Sequence, residues 1–442
     1  MKLLSIFLIV FFLSNCSFDN KSGIWKNENQ YEVSENKDVF KEFQTLSASN
    51  NLFNEIVAID KNYQFKLKPL EESSSWNEKF YSLSNNYKNF KYTNLNQLIF
   101  RGKKLTKYKL NNHLLFDGEN IFASDTQGNL IVFSIKENKI MQKFNFYKKR
   151  YKKNKKKLNL ILEKDIIYVT DNFGYFYAYN FKLKKLIWAK NYKIPFRSNI
   201  KLLKNKIITS DLNNNLYFLN KRNGEVFKLI PTEENKVKNE FINNISLTSE
   251  SILFLNTYGT LYSIDNRSLR INWFLSLNKS VDINPNNLFK GSIVINDDNY
   301  IVVSSNKNLF IFDSKSGNLV HKKNFSAFLN PQISNNHLFL VKKNNLLISV
   351  DLISGKLIYS YDINKKISEY LKIKKKTVIL KDLLILNNQI HFFLKNSFVL
   401  KFNVKGNLEE INKLPSKINS LPIIVESSIL YSDTKNRISV VN

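Results

Sequence analysis

The stretch Ile121-Phe-Ala-Ser-Asp-Thr-Gln-Gly-Asn-Leu-Ile-Val-Phe133 carries the information that decides the fold. Two short apolar runs flank Asp125-Thr-Gln-Gly128, a polar turn that ends in glycine. β-Branched and aromatic side chains suit extended backbone, and Asp and Gly supply the conformations a tight reversal needs. The pattern returns as Ile167-Tyr-Val-Thr-Asp-Asn-Phe-Gly-Tyr-Phe-Tyr-Ala-Tyr179, and again from Ile207, Ile252, Tyr300, His337, Ile390 and Ile429. These eight copies are spaced by 46, 40, 45, 48, 37, 53 and 39 residues.

Each copy has room for two further strands. An apolar stretch such as His113-Leu-Leu-Phe116 precedes the quoted pair. Turns such as Asp313-Ser-Lys-Ser-Gly317, Asp351-Leu-Ile-Ser-Gly355 and Asn220-Lys-Arg-Asn-Gly224 follow it, leading to Lys185-Leu-Ile-Trp188 or Lys356-Leu-Ile-Tyr359. Four strands in a period of this length make a propeller blade. Helical repeats of similar period do not fit, because the apolar residues come in runs of four to six rather than at helical spacing. The expected fold is all-β: an eight-bladed β-propeller of four-stranded antiparallel blades, spanning residues 91–442. The last copy reaches Asn442 only two strands after Ser428, so the chain lacks one outer strand there. An N-terminal strand, Gln97-Leu-Ile-Phe-Arg101, is the candidate that closes the ring, since an open edge invites aggregation.

Upstream, Lys2 and the apolar run Leu3 to Leu13, broken only by Ser5, read as an export signal over residues 1–15. The run is too short for the roughly 20 residues that span a bilayer. It ends at Leu13-Ser-Asn-Cys16, and Cys16 is the only cysteine. An internal disulfide is therefore excluded, and stability must come from a large core, for which 43% hydrophobic and 14% aromatic residues suffice. Residues 16–90 carry no clear repeat and are expected to form an N-terminal tether and a segment packed on the propeller surface.

A net charge of +30 raises the question of nucleic acid. Lys, Asn, Ile, Phe and Tyr are inflated together, as AT-rich coding produces, so no nucleic-acid partner is expected. Eight of the ten residues from Lys148 to Lys157 are basic. They read as a solvated inter-strand loop, with attraction to anionic lipid or an acidic partner as the alternative.

A lipobox-like Cys16 followed by eight Asp-x-x-x-Gly…Gly…Trp-type repeats resembles the PQQ-like propeller lipoproteins. Within them the sequence is most similar to the BamB-like lipoproteins of the outer-membrane β-barrel assembly machinery. The resemblance covers residues 97–442 and the lipobox. The chain departs by carrying Asn15 before the cysteine and by keeping the blade-end tryptophan only at Trp188 and Trp273. The resemblance implies lipidation at Cys16, an outer-membrane location on the periplasmic face (Ser17, not Asp, follows the cysteine), and a membrane contact through the lipid. It implies a non-enzymatic scaffold that docks the periplasmic domains of the barrel-assembly channel, with other assembly lipoproteins as further partners. The family's docking loop carries an apolar-x-apolar-Arg pattern, which maps here onto Ile194, Phe196 and Arg197. The alternative placement is Phe196 capping the core with Arg197 solvated.

PQQ-dependent dehydrogenases share the eight-bladed fold and are the rival reading. Their resemblance implies a vicinal cysteine pair over the quinone and a carboxylate-rich Ca²⁺ site, and one cysteine cannot supply the pair. His113, His321, His337 and His391 lie far apart without metal-ligand spacing. Asp125, Asp171 and Asp211 recur at one blade position, which turn chemistry explains. No catalytic, cofactor or metal residue is assigned, and an unusual hydrolase is the other enzymatic alternative.

Overall fold

The computed structural model describes residues 17–18, 25–26, 53–147, 151, 153–234, 241–278, 293–305 and 307–442. Met1–Asn51 and Leu52–Asn442 are separate units. In the first, Ser17–Phe18 pairs antiparallel with Trp25–Lys26. Cys16 and the signal-like run lie outside the described residues.

The second unit is an eight-bladed propeller of four-stranded antiparallel sheets. All eight repeat starts fall in, or at the edge of, the second strand of a different blade, from Asn120–Ser124 in blade 1 to Ser428–Ser432 in blade 8. The second and third strands are buried almost throughout, because both faces of each sheet pack on neighbouring blades. Every pairing of third with fourth strand carries a register shift, which adds twist at the rim. The ring closes as the pattern predicts: Leu98–Lys104 is the fourth strand of blade 8, with Val440 opposite Phe100 and Val441 opposite Leu98.

The turns explain how the fold survives the loss of family glycines. The turn between second and third strands needs positive φ three residues after its Asp or Asn. Gly128, Gly174 and Gly259 supply it in blades 1, 2 and 4, and Asn214 and Asn436 in blades 3 and 8; in blade 6 the turn opens on Lys342 and Asn345 supplies it. Asparagine is the residue after glycine that best tolerates this region. The blade-end tryptophans have a parallel history. A Cβ on Gly317 would sit 2.4 Å from the Trp273 ring, which covers that turn of the next blade. At Gly355 the covering ring is His321, and at Gly406 it is Tyr361. The contact persists although the tryptophan does not.

Residues 53–90, expected within a surface segment, run from the rim of blade 6 to the inner strands of the blades. Residues 53–70 cross blade 6 from its outer strand, where Val57 pairs with Ser360, to its inner strand, where Lys68 N–H donates to Ser334 Oγ at 2.8 Å. Residues 73–90 then meet the first strand, or its turn, in every blade. Ser73 O accepts from Glu426 N–H in blade 8 (2.8 Å), and Trp76 exchanges backbone bonds with Phe116 in blade 1. Asn77 O accepts from Leu162 N–H in blade 2, Leu83 O from Leu247 N–H in blade 4 and Ser84 O from Asn296 N–H in blade 5. In blade 3, Lys201 Nζ donates to Glu78 Oε2 (2.5 Å) and Ser82 O (2.8 Å). Asn86 exchanges two bonds with Ile333 in blade 6, and Asn89–Phe90 pairs parallel with Ile385–Leu386 in blade 7. Asn85, in the left-handed region, donates to Ile245 O and Val294 O at 2.9 Å each, joining blades 4 and 5. The thread is polar because its partners are the backbone groups that first strands leave unpaired toward the axis. Trp76, Tyr87 and Phe90 anchor it in the core.

Candidate docking surface

The loop after blade 2 is built from its turn contacts upward. Tyr192 N–H donates to Gly174 O (2.7 Å), Phe196 N–H to Asp171 O (3.2 Å), Arg197 N–H to Ser210 O (2.9 Å) and Leu212 N–H to Pro195 O (2.8 Å). The backbone of 192–197 is thus stitched to turns of blades 2 and 3. Phe196 is 3% exposed, with its ring against Phe176, Tyr192 and Tyr217 at centroid separations of 5.6–5.9 Å. Ile194 and Arg197 are partly exposed. Of the three residues expected to face a partner, the structure therefore keeps Phe196 in the core. The sequence held a signal for this. Phe196 bridges Asp211 as Leu110 bridges Asp125 and Ile418 bridges Asp433, each pair sharing one spacing, and Leu110 and Ile418 are likewise buried. Position 196 is a structural position of the repeat.

The recurrent aspartates serve the turns. Asp125 Oδ1 accepts from the N–H groups of Gln127 and Asn129, Asp171 Oδ1 from those of Phe173 and Tyr175, and Asp211 Oδ1 from those of Asn213 and Asn215, at 2.8–3.1 Å. Burial pushes the Asp171 and Asp211 carboxyls up, opposed by hydrogen bonds from Tyr147 and from Asn215 and Tyr217 respectively. Lys156, expected to be solvated with the rest of its basic run, is buried, and its ammonium donates to Tyr151 O at 2.6 Å. Lys153, Lys155 and Lys157 are exposed, and residues 148–150 and 152 lie outside the described residues.

The axis is where a quinone site would be sought. The thread occupies it, and the space left beside Lys79, His113 and Asn159 is about 20 Å³. That is room for a water or so, and a multi-ring quinone does not fit there. Burial lowers the Lys79 ammonium to about 8, and burial with Lys79 nearby holds His113 well below its usual value. Among the described residues no three His, Cys, Asp or Glu side chains group as metal ligands. His391 is buried beside Tyr92, and burial lowers it to about 4.

Asp382, on the first strand of blade 7, is 4% exposed, and burial pushes its carboxyl up to about 7. The native state then holds a proton that the unfolded chain releases near pH 3.8, so this group's contribution is full below that value and is lost as pH rises through about 7. Asp382→Asn is expected to stabilise the protein at pH 8 by up to about 4 kcal/mol and to change little at pH 3.5, read by denaturant unfolding at both. An equal effect at both pH values would contradict this.

Two apolar edges were not legible in the sequence. The fourth strands of blades 3 and 4, which follow the 192–200 loop, expose Val226, Phe227 and Leu229, and Ile271, Phe274 and Leu275. Their apolar pattern reads like that of a buried strand, and only position at the rim makes them accessible.

The repeat, the four-stranded blades and the ring over the turn glycines define an eight-bladed β-propeller. Residues 153–361, which take in blades 2 to 6 and the 192–200 loop, match the family described as outer membrane protein assembly factor BamB. Over those residues the chain is similar to the BamB-like propellers of that family. No curated protein matches its sequence. Among solved structures it resembles BamB from Moraxella catarrhalis at 10% identity, covering 77% of this chain and 99% of that one with a TM-score of 0.60. It also resembles the quinohemoprotein alcohol dehydrogenase from Comamonas testosteroni at 8% identity, covering 83% and 80% with a TM-score of 0.59. The designed protein Ika8 matches at 9% identity, 78% and 99% coverage and a TM-score of 0.57. At these identities the likenesses speak to the fold.

Proposed function

We propose that the protein is a non-enzymatic scaffold lipoprotein of the outer-membrane β-barrel assembly machinery, tethered through Cys16 to the periplasmic face of that membrane. Its docking loop presents Ile194 and Arg197 to the periplasmic domains of the barrel-assembly channel, and Phe196 holds the loop in place from beneath. The match of residues 153–361 to the BamB family carries this reading, since it spans that loop. The dehydrogenase reading lacks a vicinal cysteine pair, since Cys16 is the only cysteine in the chain.

Pull-down of the tagged protein from detergent-solubilised envelopes tests it. The native chain is expected to recover the channel protein. Ile194→Ser with Arg197→Glu should reduce that recovery at least about tenfold with circular dichroism unchanged, as loss of a central apolar–Arg pair does at an interface. Phe196 is left intact because truncating a buried Phe costs about 3–5 kcal/mol of fold stability. Cys16→Ala should leave the membrane fraction. Equal recovery by the double variant would remove the loop from the interface, and no channel protein in the native pull-down would remove the scaffold reading.

A further inference from the structure

The longest step in the repeat, 53 residues from His337 to Ile390, contains an insertion that neither ring closure nor the docking loop uses. It begins with the helix Ile363–Leu371, the one helix among the described residues, capped by Asp362, which accepts from the N–H groups of Asn364 and Lys365. The helix stops at Lys372 in the left-handed conformation, and the chain returns along residues 373–379. Asn364 fixes that return: its Oδ1 accepts from Val378 N–H at 2.9 Å and from Asn345 Nδ2 at 3.1 Å.

Helix, return and blade 7 enclose a groove of about 570 Å³. Leu394, Leu400 and Ile367 form its buried floor, with Phe398 and Ile411 beside them. The lips are apolar and bare: Leu371 is 46% exposed, Ile373 48% and Ile379 61%. Outside the lips stand Lys374, Lys376 and Lys395, all exposed, and none makes an ion pair among the described residues. No carboxylate lines the groove. Its size is that of a ligand pocket, but its polar groups ring the rim rather than converge inside.

We propose that this groove is a docking site for an acidic peptide segment, with bulky apolar side chains seated on the floor and flanking carboxylates meeting the lysine rim. Charge complementarity carries the choice of occupant. Three separated ammonium groups around one apolar slot match several carboxylates on a chain rather than a single head group. The bare leucine and isoleucines supply the anchor contacts that groove-bound amphipathic segments use.

The test is fluorescence anisotropy on the full chain with a fluorescein-labelled amphipathic peptide of leucine, phenylalanine and glutamate, its lysine counterpart, and phosphatidylglycerol vesicles. Saturable binding of the acidic peptide is expected, weakening several-fold as salt rises from about 50 to about 300 mM. Lys374→Glu with Lys376→Glu, and separately Leu371→Ser with Ile379→Ser, should each cost at least tenfold. All four positions are exposed, so thermal melting should match the native protein. Absence of saturable binding, equal binding of the lysine peptide, or indifference to both variants overturns the proposal. Vesicle binding that depends on these residues while the peptide does not bind reassigns the groove to a membrane surface and also overturns it.

Discussion

Deleting residues 97–104 is expected to make the chain aggregate or lose much of its thermal stability. Leu98–Lys104 is the outer strand of blade 8, antiparallel to Arg437–Val441, and Gln97 and Asn442 exchange backbone bonds at its end. Phe100 lies 6.3 Å from Phe133 of blade 1, and Gly102 lies so close to that ring that a Cβ would be 2.9 Å from it. Without the strand, the third strand of blade 8 becomes an unpaired, apolar edge, which is a template for another chain. Size-exclusion chromatography and a thermal melt read the outcome. Ile99→Lys is the control: Ile99 is exposed on the same strand, and the ring should tolerate the charge. An equally stable monomer after the deletion would refute this account of closure.

The second large effect is expected at Lys201. Its side chain is fully buried on the first strand of blade 3 and holds the axial thread through Glu78 and Ser82. Burial pulls its ammonium below the usual value, with Glu78 opposing. Lys201→Ala leaves the Glu78 carboxylate buried without its cation, at a cost of about 3–5 kcal/mol. Lys201→Met with Glu78→Gln removes both charges and should recover most of that loss, since a buried pair often contributes little beyond its own desolvation. Denaturant melts of the two variants decide it. A double variant no more stable than Lys201→Ala would show that the pair does more than neutralise itself.

The sequence disclosed the ring because the repeat acts through local chemistry. Alternating strand and turn signals, and an Asp or Asn followed by Gly or Asn, report on neighbours a few residues away. The closing strand was legible for a different reason: a missing strand at one end must be supplied by the other. Contacts across distance were harder to read. The axial thread looks like a polar surface segment, because Asn85, Asn86 and Asn89 serve backbone groups roughly 160–300 positions away. Phe196 looked like an interface anchor because an apolar side chain in a loop reads the same whether it faces in or out. His321 and Tyr361 were unremarked as replacements for tryptophan, since only the glycine of the following blade reveals what their rings cover. The groove on blade 7 announced itself only as an overlong spacing.

The axial thread also bears on how the chain can fold. It leaves the ribosome before any blade exists, yet its bonds reach blade 8 at Glu426 and its neighbour Leu98 waits for Val441. Blades stacked in a solenoid can form one after another, each supported by the last. Here an early-made segment cannot complete its bonds until blade 8 exists, and such long-range pairing makes for slow folding with apolar surface open in the interval. During that wait the chain resembles a purse with its drawstring already laid in but not yet pulled.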